Sequence, residues 1–375
     1  MSGEREMDVR GDDGRGGRAQ GRGPTPGRPE IPDSMRAWVR ETYGPAEGVR
    51  LQELPTPRPG RGEVLLRVRA TALNAGDVRL LRGDPLLVRL VYGLTRPRFP
   101  VRGMDVAGTV VALGAGVGGI GLGDEVVAEL RGGGGLAGYA TVPADRLAIR
   151  PAGVDAALAA CVPIAAGTAW QAWDAAGLAT GPADGVGGSG GRVLVLGASG
   201  GVGTFAVQIA VLRGAEVWAT CGERSRGMVE GLGATRVFDH RAEGGAGEGL
   251  DALAAASFDA VIDIAGRVPV RRLQRLVRDG GRVVLVTGDG GRLLGPVPRM
   301  MRAALCSIGS RRRVVSLAAQ PHAELTRDVL SLMARGRIAP VVEREAAFAQ
   351  AGDALVQVSG GRVRGKVVIR VAGGA

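Results

Sequence analysis

The chain has 375 residues, 45% of them hydrophobic, which is enough to bury a sizeable core and more natural for two domains than for one. It contains no uninterrupted apolar run long enough to span a bilayer, and its N-terminus carries charges where a signal peptide needs an apolar stretch, so a soluble cytoplasmic protein without membrane contact is expected. The formal charge is +11, but Lys366 is the only lysine among the 48 basic residues, a bias that resembles codon composition more than a designed nucleic-acid surface. Arg271, Arg272, Arg275 and Arg278, and the run Arg311 to Arg313, lack interleaved aromatics for base stacking and read as solvated faces; no nucleic-acid partner is expected. Cys161, Cys221 and Cys306 lack CxxC spacing, which argues against a disulfide framework and a cysteine-based zinc site and leaves them as buried small apolar residues.

Residues 1 to about 33 are rich in Gly, Arg, Asp and Pro and cannot offset the entropy of ordering, so they are expected to form a disordered tail, with Met35 a candidate natural start. From Met35 to about residue 150 short strands alternate with turns: Val64, Leu66, Val68 and Ala70 share one face of a strand, and Thr109 to Leu113 form another. A small β-barrel is expected. After about residue 155 helices alternate with compact apolar strands at Val193 to Leu196, Val217 to Thr220, Val237-Phe238, Ala260 to Ile262, Val283 to Val286 and Val314 to Leu317. That alternation predicts an α/β architecture with a doubly wound parallel sheet.

The strongest chemical signal is the strand Val193 to Leu196, then Gly197-Ala-Ser199-Gly200-Gly201-Val202-Gly203, then a helix whose inward face includes Val202, Phe205, Ala206, Ile209 and Ala210. A strand, a glycine turn and a helix in this order aim backbone N–H groups and the positive end of the helix at a pyrophosphate. The spacing is GxxGxxG. Among 65 glycines such a match alone carries little weight; its flanking elements make it a dinucleotide-binding candidate.

Further motifs follow in order: Asn74-Ala-Gly-Asp77 with Gly83; Gly103-Met104-Asp105-Val-Ala-Gly108; Gly123-Asp124; Gly167-Thr168-Ala-Trp170; Gly280-Gly281-Arg282; and Gly365-Lys366-Val-Val-Ile369. With the glycine turn, this set resembles the zinc-free medium-chain dehydrogenases/reductases, which include quinone oxidoreductases and zeta-crystallin. The resemblance implies a GroES-like β-barrel domain from residues 34–154 and 321–375, a Rossmann dinucleotide-binding domain at 155–320, an active site in the cleft between them, and a homodimer. It also implies that Thr168 lies near the nicotinamide and that Asn74 faces the reacting end of the cofactor, while Asp105 and its neighbouring glycines read as structural.

Zinc-dependent relatives need Cys and His ligands. This chain has no histidine before His240 and no cysteine before Cys161, so catalytic zinc is not expected. Without a metal to polarise a carbonyl, the expected substrates are small molecules that accept hydride readily: quinones, enones and related activated alkenes. Asn74, as a hydrogen-bonding group for the substrate carbonyl or a nicotinamide-side hydroxyl, and Arg79, as a stabiliser of enolate charge, are the candidate catalytic residues. Gly197, Ser199, Gly200, Gly201, Val202, Gly203, Thr168, Arg224 and His240 are the candidate cofactor contacts. NADPH is expected over NADH, because the end of the second strand carries Gly222 rather than an acid, and Arg224 and Arg226 follow; Glu223 stands against this. The alternatives are an enoyl-thioester reductase and a non-catalytic, crystallin-like protein that binds NADPH or RNA.

Overall fold

A computed structural model of the chain describes residues 30–178, 190–239, 253–286 and 291–371. The first elements among the described residues form an antiparallel ribbon of β1 (Ser34–Val39) and β2 (Arg50–Pro55). β3 (Glu63–Leu73) shows the expected alternation, with Val64, Leu66, Val68 and Ala70 all buried. Leu65 on its other face is buried as well, because Met35, Ala37 and Val39 of β1 pack with it in a separate cluster. There follow α1 (Ala75–Arg82), the short α2 (Arg89–Tyr92), β4 (Asp105–Leu113), β5 (Glu125–Glu129), β6 (Tyr139–Pro143) and β7 (Ala148–Ile149). α3 (Ala156–Ala159) is N-capped by the Asp155 carboxylate and leads to α4 (Pro163–Ala176).

Strands and helices then alternate, except that residues 240–252, between β10 and β11, lie outside the described residues: β8 (Arg192–Leu196), α5 (Gly201–Leu212), β9 (Glu216–Cys221), α6 (Arg226–Gly231), β10 (Arg236–Asp239), β11 (Phe258–Asp263), α7 (Val270–Leu276), β12 (Val277–Leu285), α8 (Val297–Ser307) and β13 (Arg313–Ser316). These strands form one six-stranded, all-parallel sheet in the order β10-β9-β8-β11-β12-β13. α9 (Ala323–Ala334), β14 (Val342–Ala347), α10 (Ala351–Ser359) and β15 (Lys366–Arg370) complete the chain. β15 returns to pair antiparallel with β3, so the C-terminal strands finish the seven-stranded sheet begun by the N-terminal half. Two side-chain clamps tie the layers together: Gln171 exchanges hydrogen bonds with the backbone of Gln320 (2.9 and 3.0 Å), and Gln208 does so with Ala339 (2.9 Å each way).

In the parallel sheet the winding reverses between β8 and β11. Ligands of such sheets bind outside the carboxyl ends of the strands at that switch point. The turn after β8 and the segment after β11 are therefore the places where a site is built.

Order at the N-terminus begins earlier than the composition predicted. Ile31 packs on the β1 cluster, and the Asp33 carbonyl accepts a hydrogen bond from Thr56 N at 2.8 Å. Deleting residues 1–29 is expected to leave the melting temperature unchanged, whereas deleting residues 1–33 lowers it by roughly 2 °C through loss of that acceptor and the Ile31 contact, on the order of 1 kcal/mol together. Thermal unfolding of the two truncated chains checks this; equal melting temperatures would remove Ile31 and Asp33 from the fold.

Candidate active site

The glycine turn has a steric logic. Gly197 sits at φ +85°, a left-handed conformation that other residues adopt only under strain, and a Cβ on Gly203 would lie 2.2 Å from the Gly197 carbonyl oxygen. Gly197 N is fixed by the Thr220 hydroxyl at 3.2 Å, which ties the turn to β9. α5 then starts at Gly201, and its first-turn N–H groups have no partners within the helix. The predicted inward face is realised: Phe205, Ala206, Ile209 and Ala210 are buried, and Val202 is half-buried.

Beside this turn lies a cleft of about 720 Å³ at the switch point. It is bounded by Gly197 and Ser199 after β8, Gly222 to Ser225 after β9, Ala265 to Val268 after β11, and Gly360 to Arg364 before β15. Of the expected cofactor contacts, Gly197, Ser199 and Arg224 line it, while Gly200, Gly201, Val202 and Gly203 form the turn and helix start behind it. Thr168 is half-buried on α4 and does not line this cleft. His240 lies outside the described residues.

The two charged residues flanking Arg224 are already engaged. Arg226 grips the Glu223 carboxylate with contacts of 3.0 and 3.1 Å and also donates to the Val237 carbonyl. The expectation that Arg226 is available to a phosphate is thus corrected; it holds Glu223, and exposed Arg224 is left facing the cleft.

The second half of the site was not read from the sequence. Gly365 N bonds the Ser199 carbonyl at 2.8 Å, bringing β15 against the glycine turn, and a Cβ on Gly201 would meet the Lys366 stem at 3.0 Å. The Lys366 ammonium, 2% exposed, donates to Asn74 Oδ1 at 2.6 Å and to Asp105 Oδ2 at 3.2 Å. The carboxylate of Asp105 also accepts from Ile164 N at 3.0 Å in the first turn of α4, the helix that carries Thr168. Asp105 is therefore more than the structural turn residue that its motif suggested. It is the counter-ion of the only lysine.

This arrangement narrows the chemistry open to Asn74. Its Nδ2 group donates to Asp105 Oδ2 (2.9 Å) and the Ala72 carbonyl (3.2 Å), which uses both amide hydrogens, so it has no donor left for a substrate carbonyl. Its Oδ1 keeps one lone pair. Asp77 fixes the loop, accepting from Asn74 N, Gly103 N and Met104 N. Arg79 is exposed on the outer face of α1, away from this cluster and from the cleft lining.

Burial raises both Asp105 and Asp77 above the ordinary carboxylate range, with Lys366 the main opposing influence on Asp105. Glu129, directly across the β4–β5 pair from Asp105, is pushed up to about 7 by burial and then by the Asp105 charge. Among the described residues no group of three or more His, Cys, Asp and Glu is arranged to hold a metal ion.

Comparisons with known proteins agree with this construction. Residues 60–152 match the family described as "Alcohol dehydrogenase GroES-like domain", and residues 232–369 match "Zinc-binding dehydrogenase". The "Chloroplast envelope quinone oxidoreductase homolog" of Arabidopsis thaliana is 35% identical over 342 residues, covering 89% of this chain and 98% of its own. The "NAD(P)H oxidoreductase RTN4IP1, mitochondrial" of Bos taurus is 31% identical, covering 90% of this chain and 89% of its own, and the "2-methylene-furan-3-one reductase" of Solanum lycopersicum is 29% identical, covering 90% and 80%. Among solved structures, the quinone oxidoreductase of Coxiella burnetii superposes with a TM-score of 0.77 at 24% identity over 90% of this chain and 99% of its own, a likeness of fold. The names of the first two relatives place them in the chloroplast and the mitochondrion, so they lend no support to the cytoplasmic expectation. From the extent of these matches and the two sheets joined at the glycine turn, the chain belongs to the medium-chain dehydrogenase/reductase family of oxidoreductases, among its quinone oxidoreductase-like members.

Proposed function

We propose that the protein is a metal-independent, NADPH-dependent reductase that delivers hydride to a quinone, an enone or a related activated alkene. The observation that carries this reading is the junction of the glycine turn with β15, where Gly365 bonds Ser199 and the buried Lys366 ammonium stands against Asn74 and Asp105. The cleft fits a dinucleotide on two counts: it opens at the switch point of the sheet, and Gly203 tolerates no Cβ, as a turn packed tightly to bring its backbone to a pyrophosphate requires. Gly197, Ser199 and the α5 N-terminus would hold the pyrophosphate, and Arg224 the adenosine 2′-phosphate. When bound, the cofactor supplies the hydride.

The chain's own residues supply position and electrostatics. Asn74 would act as an acceptor, its Oδ1 receiving a hydrogen bond from a hydroxyl on the nicotinamide side. Lys366, with two of its three N–H groups used by Asn74 and Asp105, places a positive charge under the turn, and the neighbouring Gly365 N, bonded to the Ser199 carbonyl, holds the turn to β15. Metal independence rests on the donor set: the stretch 34–154 contains neither histidine nor cysteine, the ligands that zinc-dependent relatives need.

The test combines turnover and metal content. Purified protein should consume NADPH with members of a quinone and enone panel, hold zinc well below one equivalent, and keep its activity after chelation. Stoichiometric zinc with chelator-sensitive turnover would refute metal independence, and NADPH binding without turnover on any acceptor would favour a binding protein.

A further inference from the structure

The segment that follows β11 is a wall of the cleft, lined by Ala265, Arg267 and Val268. In the sheet β9 and β11 lie on either side of β8, so this wall and the Gly222 to Ser225 segment, which carries Arg224, stand on opposite sides of the glycine turn. The near end of the wall is fixed to β8. Ile264 N and Ala265 N both donate to the Leu196 carbonyl (3.0 and 3.2 Å), and a Cβ on Gly197 would lie 3.1 Å from Ala265 N. Gly266 N then reaches back to Asp263 Oδ1 at 2.9 Å.

The far end is held from outside the sheet, by α8. Arg299, in the first turn of that helix, donates from one guanidinium nitrogen to the Val268 carbonyl at 2.7 Å and from another to the Asp263 carboxylate, so a single side chain bridges the two ends of the wall. Asp263 is fully buried and the Arg299 side chain is 13% exposed. A buried ion pair adds little net stability over an apolar replacement, whereas the planar fork of an arginine fixes two backbone points relative to each other. α8 itself leans little on apolar packing: Ala303 is its one buried residue, and its C-terminal end is tied to β13 by the Ser307 hydroxyl, which bonds both the N–H and the carbonyl of Val314. We infer that Arg299 is a positioning residue for the dinucleotide, acting through the Asp263 to Val268 segment and holding that wall against the glycine turn. The inference rests on the reading of the cleft as a dinucleotide site and adds a residue that does not line it. Because the wall stands across the turn from Arg224, loosening it weakens the binding of NADPH and NADH alike.

The experiment is calorimetric titration of full-length wild type and variant with NADPH and with NADH, alongside melting temperatures and steady-state kinetics. Arg299→Met alone leaves the Asp263 carboxylate buried without its guanidinium and lowers the melting temperature. The double variant Arg299→Met with Asp263→Asn leaves no orphan charge, retains an acceptor for Gly266 N, and is the one to titrate. It should bind both dinucleotides on the order of tenfold more weakly, by the same factor for each, the loss of one charge-assisted hydrogen bond's worth of positioning. The loss should appear in KM for the cofactor, with kcat at saturation falling by less than about threefold. Dissociation constants within about twofold of wild type in the folded double variant would reduce Arg299 to a stabilising residue and overturn the inference alone, as would a loss confined to NADPH. Wild type that binds neither dinucleotide overturns the reading of the cleft, and this inference with it.

Discussion

Replacing Lys366 with methionine is expected to destabilise the protein by about 3–5 kcal/mol, the usual consequence of removing one partner of a buried ion pair and leaving the other charged. The stem is conserved in length and the change removes only the ammonium, so the loss isolates its pairing with Asn74 and Asp105. The pH dependence gives the sign. Asp105 already has its carboxyl raised in the fold by burial, and Lys366 is the main influence holding it down. In the variant it rises further. A carboxyl raised on folding contributes stability below its unfolded value of about 4 and loses it as pH climbs through the folded value, so the deficit should be larger at pH 8 than at pH 5. Asp77 and Glu129 face the same cluster and titrate in both proteins, so the difference between wild type and variant at each pH is the quantity to measure, by urea unfolding. The folded variant should also lose on the order of tenfold or more in kcat/KM with NADPH. The double variant Lys366→Met with Asp105→Asn should recover part of the stability, since no orphan charge remains. A deficit equal at both pH values with kinetics intact would reduce Lys366 to a packing residue.

The second large effect concerns cofactor choice. Arg224→Ala should lower kcat/KM for NADPH by on the order of tenfold, the lower end of what a charge-assisted hydrogen bond contributes, because the residue is exposed, and should leave NADH nearly unaffected. Arg226→Ala acts by another route. It removes the guanidinium that holds Glu223, freeing a carboxylate at the strand end where NAD-binding folds place an acid on the ribose 2′-hydroxyl. That variant should gain in preference for NADH although its substituted residue touches no cofactor. Kinetics with both cofactors on both variants decide the matter. Equal losses with NADPH and NADH in Arg224→Ala, or a wild-type preference for NADH, would show that Glu223 governs the choice.

Local pattern carried much of this protein. The alternation in β3 and the apolar runs of the parallel sheet were readable because side-chain period and burial are set within a few residues, and all six expected strands of that sheet are present, β12 and β13 each ending one residue early, at Leu285 and Ser316. The glycine turn was readable for the same reason, since φ and close packing at Gly197 and Gly203 are local constraints. Two further features lay within reach of the sequence. The Glu223–Arg226 pair has helical i, i+3 spacing, and Arg79 stands between Val78 and Leu80, which are buried with Leu81, so the phase of α1 turns it outward.

Only the tertiary structure could decide the rest. Lys366 is separated from Asn74 by 292 positions and from Asp105 by 261, and no periodicity connects them. They meet because β15 returns to pair with β3, while Asp105 opens β4 on the other side of β3. A buried ammonium is tolerated only where such a return supplies both its counter-ion and its hydrogen bonds. One donor of Asn74 goes to Asp105, which the β3–β4 pairing brings in, and the other to the Ala72 carbonyl two residues back; only the first is a neighbour that its own motif does not contain.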